Sequence, residues 1–473
     1  MTFAGLWESL CLIGRDERTG GYRRFSWTQT DIACRAWFFQ AATERELNGT
    51  SDHNGNLWAW WNPPSTRVTA PLKTVASLPP PAVLTVAAPH ATPAPQTNPP
   101  IPYPDISGHS AIATGSHLDS VPDGGGFDGA LGVVSAFAAI DLLRERGFVP
   151  ARPIAVVAFA EEEGARFGVA CLGSKLLTGA ITPSQAAGLR DADGVSLAAA
   201  MAAARHDPDL IGPDEELLAR IGAFIELHIE QGRALADEPG APLGIGEGIW
   251  PHGRWRLDFL GRADHAGTAM LADRSDPTLP FAATVLEARQ AAMRHGGLAT
   301  FGKMIVEPGG ANAVCSAVRA WLDARAPEEE PLANLVAAIR SAAHRFAAEH
   351  GVTVRMWQES FSPAVAFDPD LRDRLSAVIA AGGIGGSSPR ASAAGGIGGS
   401  PTQASTAQGK EPPVLRTGAG HDAGVLAGRL PTAMLFVRNP TGVSHAPAEH
   451  ADLADCAAGV AALAAVLEDL TSR

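Results

Sequence analysis

Cysteine is scarce in this chain of 473 residues, and the few that occur are scattered. The five are Cys11, Cys34, Cys171, Cys315 and Cys456, and no two of them have the C-x-x-C spacing of a zinc ribbon or redox motif. An odd, dispersed set argues against a disulfide framework and favours a reducing compartment. We expect these thiols to be small core residues.

Basic clusters and long apolar runs are also missing. Lysine and arginine total 37 against 50 aspartates and glutamates, and no basic block interrupts this acidic surplus. The pattern argues against nucleic acid as a partner. No apolar run approaches the roughly 18 to 20 residues that cross a bilayer, and the N-terminus has no basic segment followed by an apolar one. We therefore expect a cytoplasmic protein without a membrane partner.

Short apolar runs alternate with helical patterns in the first half of the chain. The runs at 111–116, 153–160 and 223–229 are typical of strands buried on both faces, and 131–147 has helical spacing with a glycine stop. Strand, helix and strand in this order form the βαβ pattern. The prediction is an α/β fold, with a mixed, mostly parallel sheet flanked by helices.

The middle of the chain has a different pattern. An alternating run at 254–261 is followed by a helix at about 280–296, two strands and a helix at about 331–349. This βαββα order indicates an inserted α+β sandwich. The predicted division is a catalytic domain formed by 1–235 and 349–473, an inserted domain at 236–348, a Pro/Ala-rich surface insertion at 79–104 and a Gly/Ser-rich flexible insertion at 380–412.

Polar side chains gather where the predicted strands end. They are His117, Asp119, Asp128, Glu161, Glu162, Glu163, His228 and His445. Ligand sites of open α/β sheets lie beyond the carboxyl ends of the strands, and these positions fit that rule. We therefore expect these side chains to form one site.

The residue types suit divalent metal ions. Histidines and carboxylates without cysteine are ligands for Zn²⁺ or Mn²⁺, and two ions can be held if one carboxylate bridges them. Asp128 is the expected bridge because the glycines around it permit close approach of the backbone. Asp119 is two residues from His117 and could accept the second ring N–H of that histidine. The consecutive glutamates can supply one ligand and one general base.

Six motifs in order resemble the amidase/hydantoinase/carbamoylase group of dinuclear metallopeptidase-like hydrolases. They are GSHLDSVPDGGGFDGALG, EEEGARFG, ELHIEQG, GRADHAGTAM, TGAGHDA and GVSHAPAEH. The resemblance covers nearly the whole chain outside the two insertions. It implies a zinc-peptidase-like catalytic domain, an inserted dimerisation or lid domain, two divalent ions (Zn²⁺ or Mn²⁺) per subunit, and a homodimer.

The resemblance also implies roles for the polar residues. One ion would be held by His117, Asp128 and His228, and the other by Asp128, Glu163 and His445. Glu162 would be the general base, and Asp119 would be the acid that orients His117. Glu161 receives no role. The assignment of base and ligand to Glu162 and Glu163 could also be shifted by one residue within the triplet. A strained peptide bond after Asp128 is implied as well, with a cis bond as one alternative.

The resemblance assigns further residues to the substrate. His265 would polarise the scissile carbonyl, commonly from the partner subunit, and His421 would lie behind the ligands. The residues implied to bind substrate are Gln231, His265, Asn312, Arg325 and Gly420. An arginine fork also suits a substrate carboxylate on general grounds. Ala269–Met270 and Cys315–Ser316 depart from the group's usual pattern and leave the details of the pocket open.

The implied reaction is hydrolysis of a ureido C–N bond in a small molecule that carries a carboxylate. The segments IGRDERTGGYRRFSWTQTD, NGNLWAWW and WPHGRWRLDF most resemble allantoate amidohydrolases, which convert allantoate and water to ureidoglycine, ammonia and carbon dioxide. The alternatives are hydrolysis of an N-carbamoyl-L-amino acid or of β-ureidopropionate. An aminopeptidase, a deacylase and a non-catalytic scaffold are more distant alternatives.

Overall fold

The computed structural model describes residues 2–64, 110–238, 240–384 and 411–472. The predicted insertion at 79–104, and residues 385–410 of the one predicted at 380–412, lie outside these ranges.

The helices of the described residues are α1 (Phe3–Cys11), α2 (Gln29–Glu44), α3 (Ala130–Glu145), α4 (Leu172–Thr178), α5 (Pro183–Ala187), α6 (Leu197–Ala203), α7 (Glu215–Ala219), α8 (Ala234–Asp237), α9 (Thr278–His295), α10 (Glu329–Glu349), α11 (Pro369–Ala381), α12 (Asp422–Leu426) and α13 (Leu453–Thr471). The strands are β1 (Asn48–Ser51), β2 (Leu57–Trp61), β3 (Ala111–His117), β4 (Ile154–Phe159), β5 (Ile221–Ile229), β6 (Leu243–Ile249), β7 (His252–Leu260), β8 (Asp264–His265), β9 (Leu298–Glu307), β10 (Ala313–Val314), β11 (Ala317–Arg325), β12 (Thr353–Ser362), β13 (Val365–Ala366), β14 (Val414–Thr417) and β15 (Thr432–Val437).

The larger sheet has the order β1-β2-β4-β3-β5-β15-β6-β13, with β14 beside β6. The central strands β4, β3, β5 and β15 run parallel, while β2 is antiparallel to β4 and β6 is antiparallel to β15. Along β4, Ile154, Val156 and Ala158 join one apolar core, and the residues between them join a second core on the opposite face. Helices therefore cover both faces, which confirms the predicted α/β class.

The parallel strands bring the polar loops to one edge of this sheet. His117 ends β3 and is level with Phe159, which ends β4 one residue before the acidic triplet. His228 of β5 is level with Phe436 of β15, and β15 leads into the loop that carries His445. Parallel strands place their carboxyl ends on the same side, so residues far apart in sequence meet there.

The smaller sheet has the order β12-β7-β11-β9 and is antiparallel. Helices α9 and α10 pack on one of its faces. The predicted βαββα order is present, but β12 adds a strand that the sequence interpretation did not include. The sheet spans 252–362, whereas the predicted inserted domain spans 236–348. Strand β6 falls within the predicted range but belongs to the larger sheet, because its buried apolar residues pair with β15. The division into domains itself stays a prediction.

The other face of the smaller sheet carries a row of cations and tryptophans across all four strands. Trp321 of β11 lies between Lys303 of β9 and Arg256 of β7. On its other side, Arg256 lies opposite Trp357 of β12. The charged groups lie 4.5 to 6.0 Å from the ring centroids. Cation–π contacts of this kind stabilise partly exposed aromatic rings, and they add to the backbone pairing of β12 with β7.

The cysteines are all free thiols. Cys34 and Cys456 lie in the core of the larger sheet and Cys315 in that of the smaller sheet, as expected of small apolar residues. No helix in the described ranges is both long and apolar enough to cross a membrane.

Gly115 is required where β3 approaches β4. Its φ is 147°, and a Cβ atom there would lie 1.9 Å from the carbonyl oxygen of Val157. We expect Gly115→Ala to lower the free energy of unfolding by about 3 kcal/mol or more, because the backbone must move or strain. Gly188→Ala is the control, since its nearest contacts would be ordinary ones at 3.5 and 3.7 Å. Equal urea midpoints for the two variants would contradict this expectation.

Candidate metal centre

Two buried histidines present the same ring nitrogen to the centre. Nδ1 of His117 donates to the carbonyl of Asp119 at 3.1 Å, and Nδ1 of His228 donates to the carbonyl of Ile229 at 2.8 Å. The N–H of Gly129 donates to Nε2 of His228, which agrees with a proton on Nδ1 in that ring. Both Nε2 atoms are therefore available as metal ligands.

Asp128 lies between two groups of side chains. Its Oδ1 is 3.6 Å from Nε2 of His117 and 3.2 Å from Nε2 of His228. Its Oδ2 is 3.4 Å from Nε2 of His445 and 3.1 Å from the amide nitrogen of Gln231. Burial opposes ionisation, but the two buried histidines hold the pKa of Asp128 well below its usual value. The carboxylate can therefore serve both groups at once.

The peptide bond after Asp128 does not have the cis form. Among the described residues the cis bond is Glu307–Pro308, so the cis alternative is wrong. Gly129 instead has a φ of 65°, and a Cβ atom there would lie 2.4 Å from the His117 ring. The turn after Asp128 therefore needs glycine for both conformation and space.

Asp119 fixes the acidic loop. Its two carboxylate oxygens accept the N–H groups of Glu162 and Glu163, each at 3.1 Å. Its Oδ1 is 3.6 Å from Nδ1 of His117, beyond hydrogen-bond length, so the main-chain carbonyl orients that ring. The expected orienting role is thus divided between the carbonyl and the carboxylate of one residue.

The three consecutive glutamates have three different environments. Oε1 of Glu161 accepts the N–H groups of Arg166 and Phe167, which fixes the following loop. Oε2 of Glu162 lies 3.6 Å from Nε2 of His117, whereas Oε2 of Glu163 lies 3.6 Å from Nε2 of His445. This geometry supports Glu162 as the candidate base and Glu163 as the candidate ligand, without a shift of these roles by one residue.

Three groups of potential ligands occur among the described residues. They are His117–Asp128–His228, Asp128–Glu163–His445 and Glu226–His228–His421, and the donor atoms within each group lie within 4.8 Å of one another. The first two share Asp128, as the sequence predicts. His421 packs edge-on against the ring of His228 at 4.5 Å, which places it behind the ligands.

The environment of these groups fits a divalent cation. Oε1 of Glu163 is buried without a hydrogen-bond partner among the described residues. Burial and then the charge of Asp128 raise the pKa of Glu163 to about 9, and burial raises the pKa of Glu162 well above its usual value. Crowded, desolvated carboxylates of this kind need a compensating positive charge, and the nitrogen and oxygen donors suit Zn²⁺ or Mn²⁺.

A second polar layer supports the histidines from behind. Glu226 accepts hydrogen bonds from Oγ of Ser116 at 2.7 Å and from the N–H of Ala423 at 2.9 Å. The hydroxyl of Ser174 donates to Asp422 at 2.5 Å. The sequence interpretation missed this layer. The spacing of two between Glu226 and His228 in a strand could have indicated it, because alternate strand residues share a face.

Gln231 and Arg325 lie near the ligand groups. Gln231 contacts Asp128 and lies 3.5 Å from Nε2 of His445. Arg325 donates to the carbonyl of Gly418 at 2.6 Å and to both oxygens of Asp323. Burial lowers the pKa of His445, and the charge of Arg325 contributes to this shift.

Gly420 belongs to the same neighbourhood. A Cβ atom on Gly420 would lie 3.8 Å from Nε2 of His252, and His252 is the residue opposite Arg325 in the smaller sheet. The loop 418–420 and the end of β11 therefore meet beside the centre.

His265 and Asn312 form a separate pair. His265 lies opposite Ala313 in the two-stranded sheet, and the carbonyl of Asn312 accepts the N–H of Ala266 at 3.0 Å. The N–H of Gly267 donates to Nδ1 of His265, so the neutral ring carries its proton on Nε2. The ring of the exposed His265 accepts this hydrogen bond from its own loop.

Comparison with known proteins gives consistent matches. The profile of peptidase family M20/M25/M40 matches residues 113–469. N-carbamoyl-L-amino acid amidohydrolase of Geobacillus stearothermophilus is 36% identical over 357 residues, which cover 75% of this chain and 80% of that protein. Allantoate amidohydrolase of Escherichia coli K12 is 31% identical over 365 residues, covering 76% and 81%. The crystal structure of an amidase of the hydantoinase/carbamoylase family from Burkholderia vietnamiensis has a TM-score of 0.78 at 26% identity, covering 100% of this chain and 98% of that chain.

The raised pKa of Glu163 predicts a pH-dependent stability of the metal-free protein. The folded-state pKa of about 9 lies above the usual 4.5, so the stabilising protonated form is lost as pH rises through about 9. We expect the melting temperature of EDTA-treated protein to fall between about pH 6 and about pH 9. Glu163→Gln removes this titration and should show a smaller fall. An equal fall in melting temperature with pH for the wild type and Glu163→Gln would contradict the assignment of this titration to Glu163.

Proposed function

The chain belongs to peptidase family M20/M25/M40 and is a metal-dependent amidohydrolase, and we propose that it cleaves the ureido C–N bond of a small molecule bearing a carboxylate. The observation that carries the proposal is the position of Asp128, shared by two ligand groups beside the buried carboxyl of Glu162. Hydrolysis of an amide-type bond needs an activated water, a proton acceptor and a group that polarises the carbonyl.

Allantoate is the substrate that we propose first. The likeness of the N-terminal segments to allantoate amidohydrolases and the 31% identity to the Escherichia coli enzyme support it. The products would be ureidoglycine, ammonia and carbon dioxide. An N-carbamoyl-L-amino acid is the second candidate, because identity to the Geobacillus enzyme is 36%. Both substrates carry a ureido group and a carboxylate.

We propose that the two ligand groups hold two divalent ions, Zn²⁺ or Mn²⁺. His117, Asp128 and His228 would hold one, and Asp128, Glu163 and His445 the other. When bound, such ions supply Lewis-acid polarisation of the attacking water and of the substrate carbonyl.

Glu162 is proposed as the residue that moves the proton. It is buried next to His117, and burial raises the pKa of its carboxyl well above the usual value, so the protonated form is accessible. The carboxylate accepts a proton from the attacking water and returns it to the leaving nitrogen. The thiol of Cys171 donates to Oε1 at 3.1 Å and orients the carboxyl group.

Arg325 and Gln231 are proposed to position the substrate. Three of the five guanidinium N–H groups of Arg325 bind Asp323 and Gly418, which leaves two that can donate to a substrate carboxylate. Gln231 faces the space beside Asp128. His265 would donate from Nε2 to the scissile carbonyl. The ring is exposed, and the hydrogen bond described for it comes from Gly267 in its own loop, so we infer that it reaches the substrate from a partner subunit or after closure of the smaller sheet.

We also propose a homodimer, in which α9 and β9 form the contact surface. Leu279, Leu286 and Met293 are exposed at intervals of seven on α9. The edge strand β9 adds exposed Met304, Ile305 and Val306. Contiguous exposed apolar residues and an open strand edge are features that a second copy covers.

The function is tested by ammonia release from allantoate and from a panel of N-carbamoyl-L-amino acids with added Mn²⁺ or Zn²⁺. We expect activity with at least one ureido acid and a loss of about 10²-fold or more in Glu162→Gln, because the proton acceptor is removed. Metal content of Glu162→Gln should stay near that of the wild type. Full activity in this variant would refute the role of Glu162, and no ammonia from any substrate would refute the proposed function.

The dimer is tested by light scattering after size exclusion. We expect a wild-type mass of twice 48.9 kDa and a monomer for the double variant Leu286→Asp/Met293→Asp, because two charges would be buried at the contact. Leu12→Asp is the matched control, since Leu12 is also exposed but lies on α1's C-terminal side, away from α9. A wild-type monomer, or an equal effect of the control, would contradict the proposed surface.

A further inference from the structure

The main chain just before Asp128 is fixed by one distant carboxylate. Oε1 of Glu449 accepts the N–H of Phe127 at 3.0 Å and the N–H of Asp128 at 2.9 Å. Glu449 lies 321 residues along the chain from Asp128. Because one oxygen receives two consecutive N–H groups, it fixes the orientation of both peptide planes and hence the direction in which the Asp128 side chain leaves the backbone.

The turn is shaped to admit this carboxylate. Glu449 is 5% exposed, and a Cβ atom on Gly125 would lie 2.2 Å from its Oε1. Phe127 is held on both sides as well, by stacking on Trp7 at 4.5 Å and by an edge contact with His450 at 5.9 Å. A buried carboxylate is costly, and the two main-chain N–H groups that Oε1 accepts offset part of that cost.

The same loop also reaches the side chain of Asp128. Glu449 follows His445 by four residues, and its N–H donates to the carbonyl of Ala446 at 3.0 Å, which closes a turn between them. Nε2 of His445 lies 3.4 Å from Oδ2 of Asp128. The loop 445–449 therefore contacts both the backbone and the carboxylate of the residue that the two ligand groups share.

We propose that Glu449 is a positioning residue, which fixes the Asp128 main chain so that the two carboxylate oxygens face the two ligand groups at once. The inference rests on the proposed function because it takes Asp128 as the bridging ligand. His117 and His228 lie in strands, whereas His445 lies in the loop of Glu449. Loss of Glu449 therefore affects the group of Asp128, Glu163 and His445 more than the other group.

The test compares Glu449→Ala and Glu449→Gln with the wild type. The Gln carbonyl can still accept both N–H groups, so this variant should recover most of what the Ala variant loses. In the absence of metal, we expect faster amide hydrogen exchange in a peptide covering 124–131 for the Ala variant. In Mn²⁺ titrations followed by electron paramagnetic resonance, we expect the second ion to bind about 10- to 100-fold more weakly, with the first near its wild-type affinity.

Asp52→Ala is the matched control. Oδ1 of Asp52 also accepts two main-chain N–H groups, from Asn54 at 3.0 Å and Asn56 at 2.9 Å, but Asp52 contacts no candidate ligand among the described residues. Its loss should lower stability without separating the affinities of the two Mn²⁺ ions. If Glu449→Ala does not fold, Glu449→Asp replaces it, because its carboxylate is one methylene too short to reach both N–H groups.

The outcomes separate this inference from the proposed function. An unchanged Mn²⁺ titration and unchanged exchange in the Glu449 variant would overturn the inference, as would the same selective loss in Asp52→Ala. A wild type that binds two Mn²⁺ ions but releases no ammonia from any ureido acid would refute the proposed function. In that case, selective loss of the second ion in Glu449→Ala would still support the positioning role.

Discussion

The sharing of one carboxylate between two groups of potential metal ligands is the interaction that organises the site. Asp128 directs Oδ1 to two strand-end histidines and Oδ2 to His445. That arrangement requires a backbone turn with little steric tolerance, which explains the glycines at positions 125 and 129 on either side of Asp128. Gly129 leaves room for the ring of His117, and Gly125 leaves room for Glu449. The direction of one side chain is thus set by contacts from the beginning, middle and end of the chain.

Buried negative charge is the second constraint. Glu162, Glu163, Glu226 and Asp422 are all raised in pKa, primarily by burial, and they lie around two histidine-rich groups. Hydrogen bonds from Ser116, Ser174 and main-chain N–H groups offset part of that cost. A bound divalent cation would compensate the remainder, and metal binding would then be coupled to the stability of this edge of the sheet.

The two sheets contribute different elements of the chemistry. The larger sheet assembles the ligand groups because its parallel strands end on one side. The smaller sheet brings Arg325 beside loop 418–420 but leaves His265 exposed in its own loop. A reaction that needs both Arg325 and His265 would depend on the dimer contact or domain closure that brings His265 to the substrate. The exposed faces of α9 and β9, which are proposed to form the dimer contact, would then affect activity as well as assembly.

The order of residues along the chain was enough to predict the class of fold and the ligand candidates. Apolar runs ending in His117, in the acidic triplet and in His228 predict strands whose polar ends meet, because parallel strands share an edge. Periodicity could not place β12 in the smaller sheet, since its pairing with β7 and the contact of Arg256 with Trp357 form only between strands. Nor could it separate the roles of the three consecutive glutamates, or show that the Asp119 carboxylate fixes their backbone. Those roles depend on distances between residues far apart in the chain, as with Glu449 and Asp128. Such distances emerge only in the folded molecule, because packing of the whole core sets them and no local pattern encodes them.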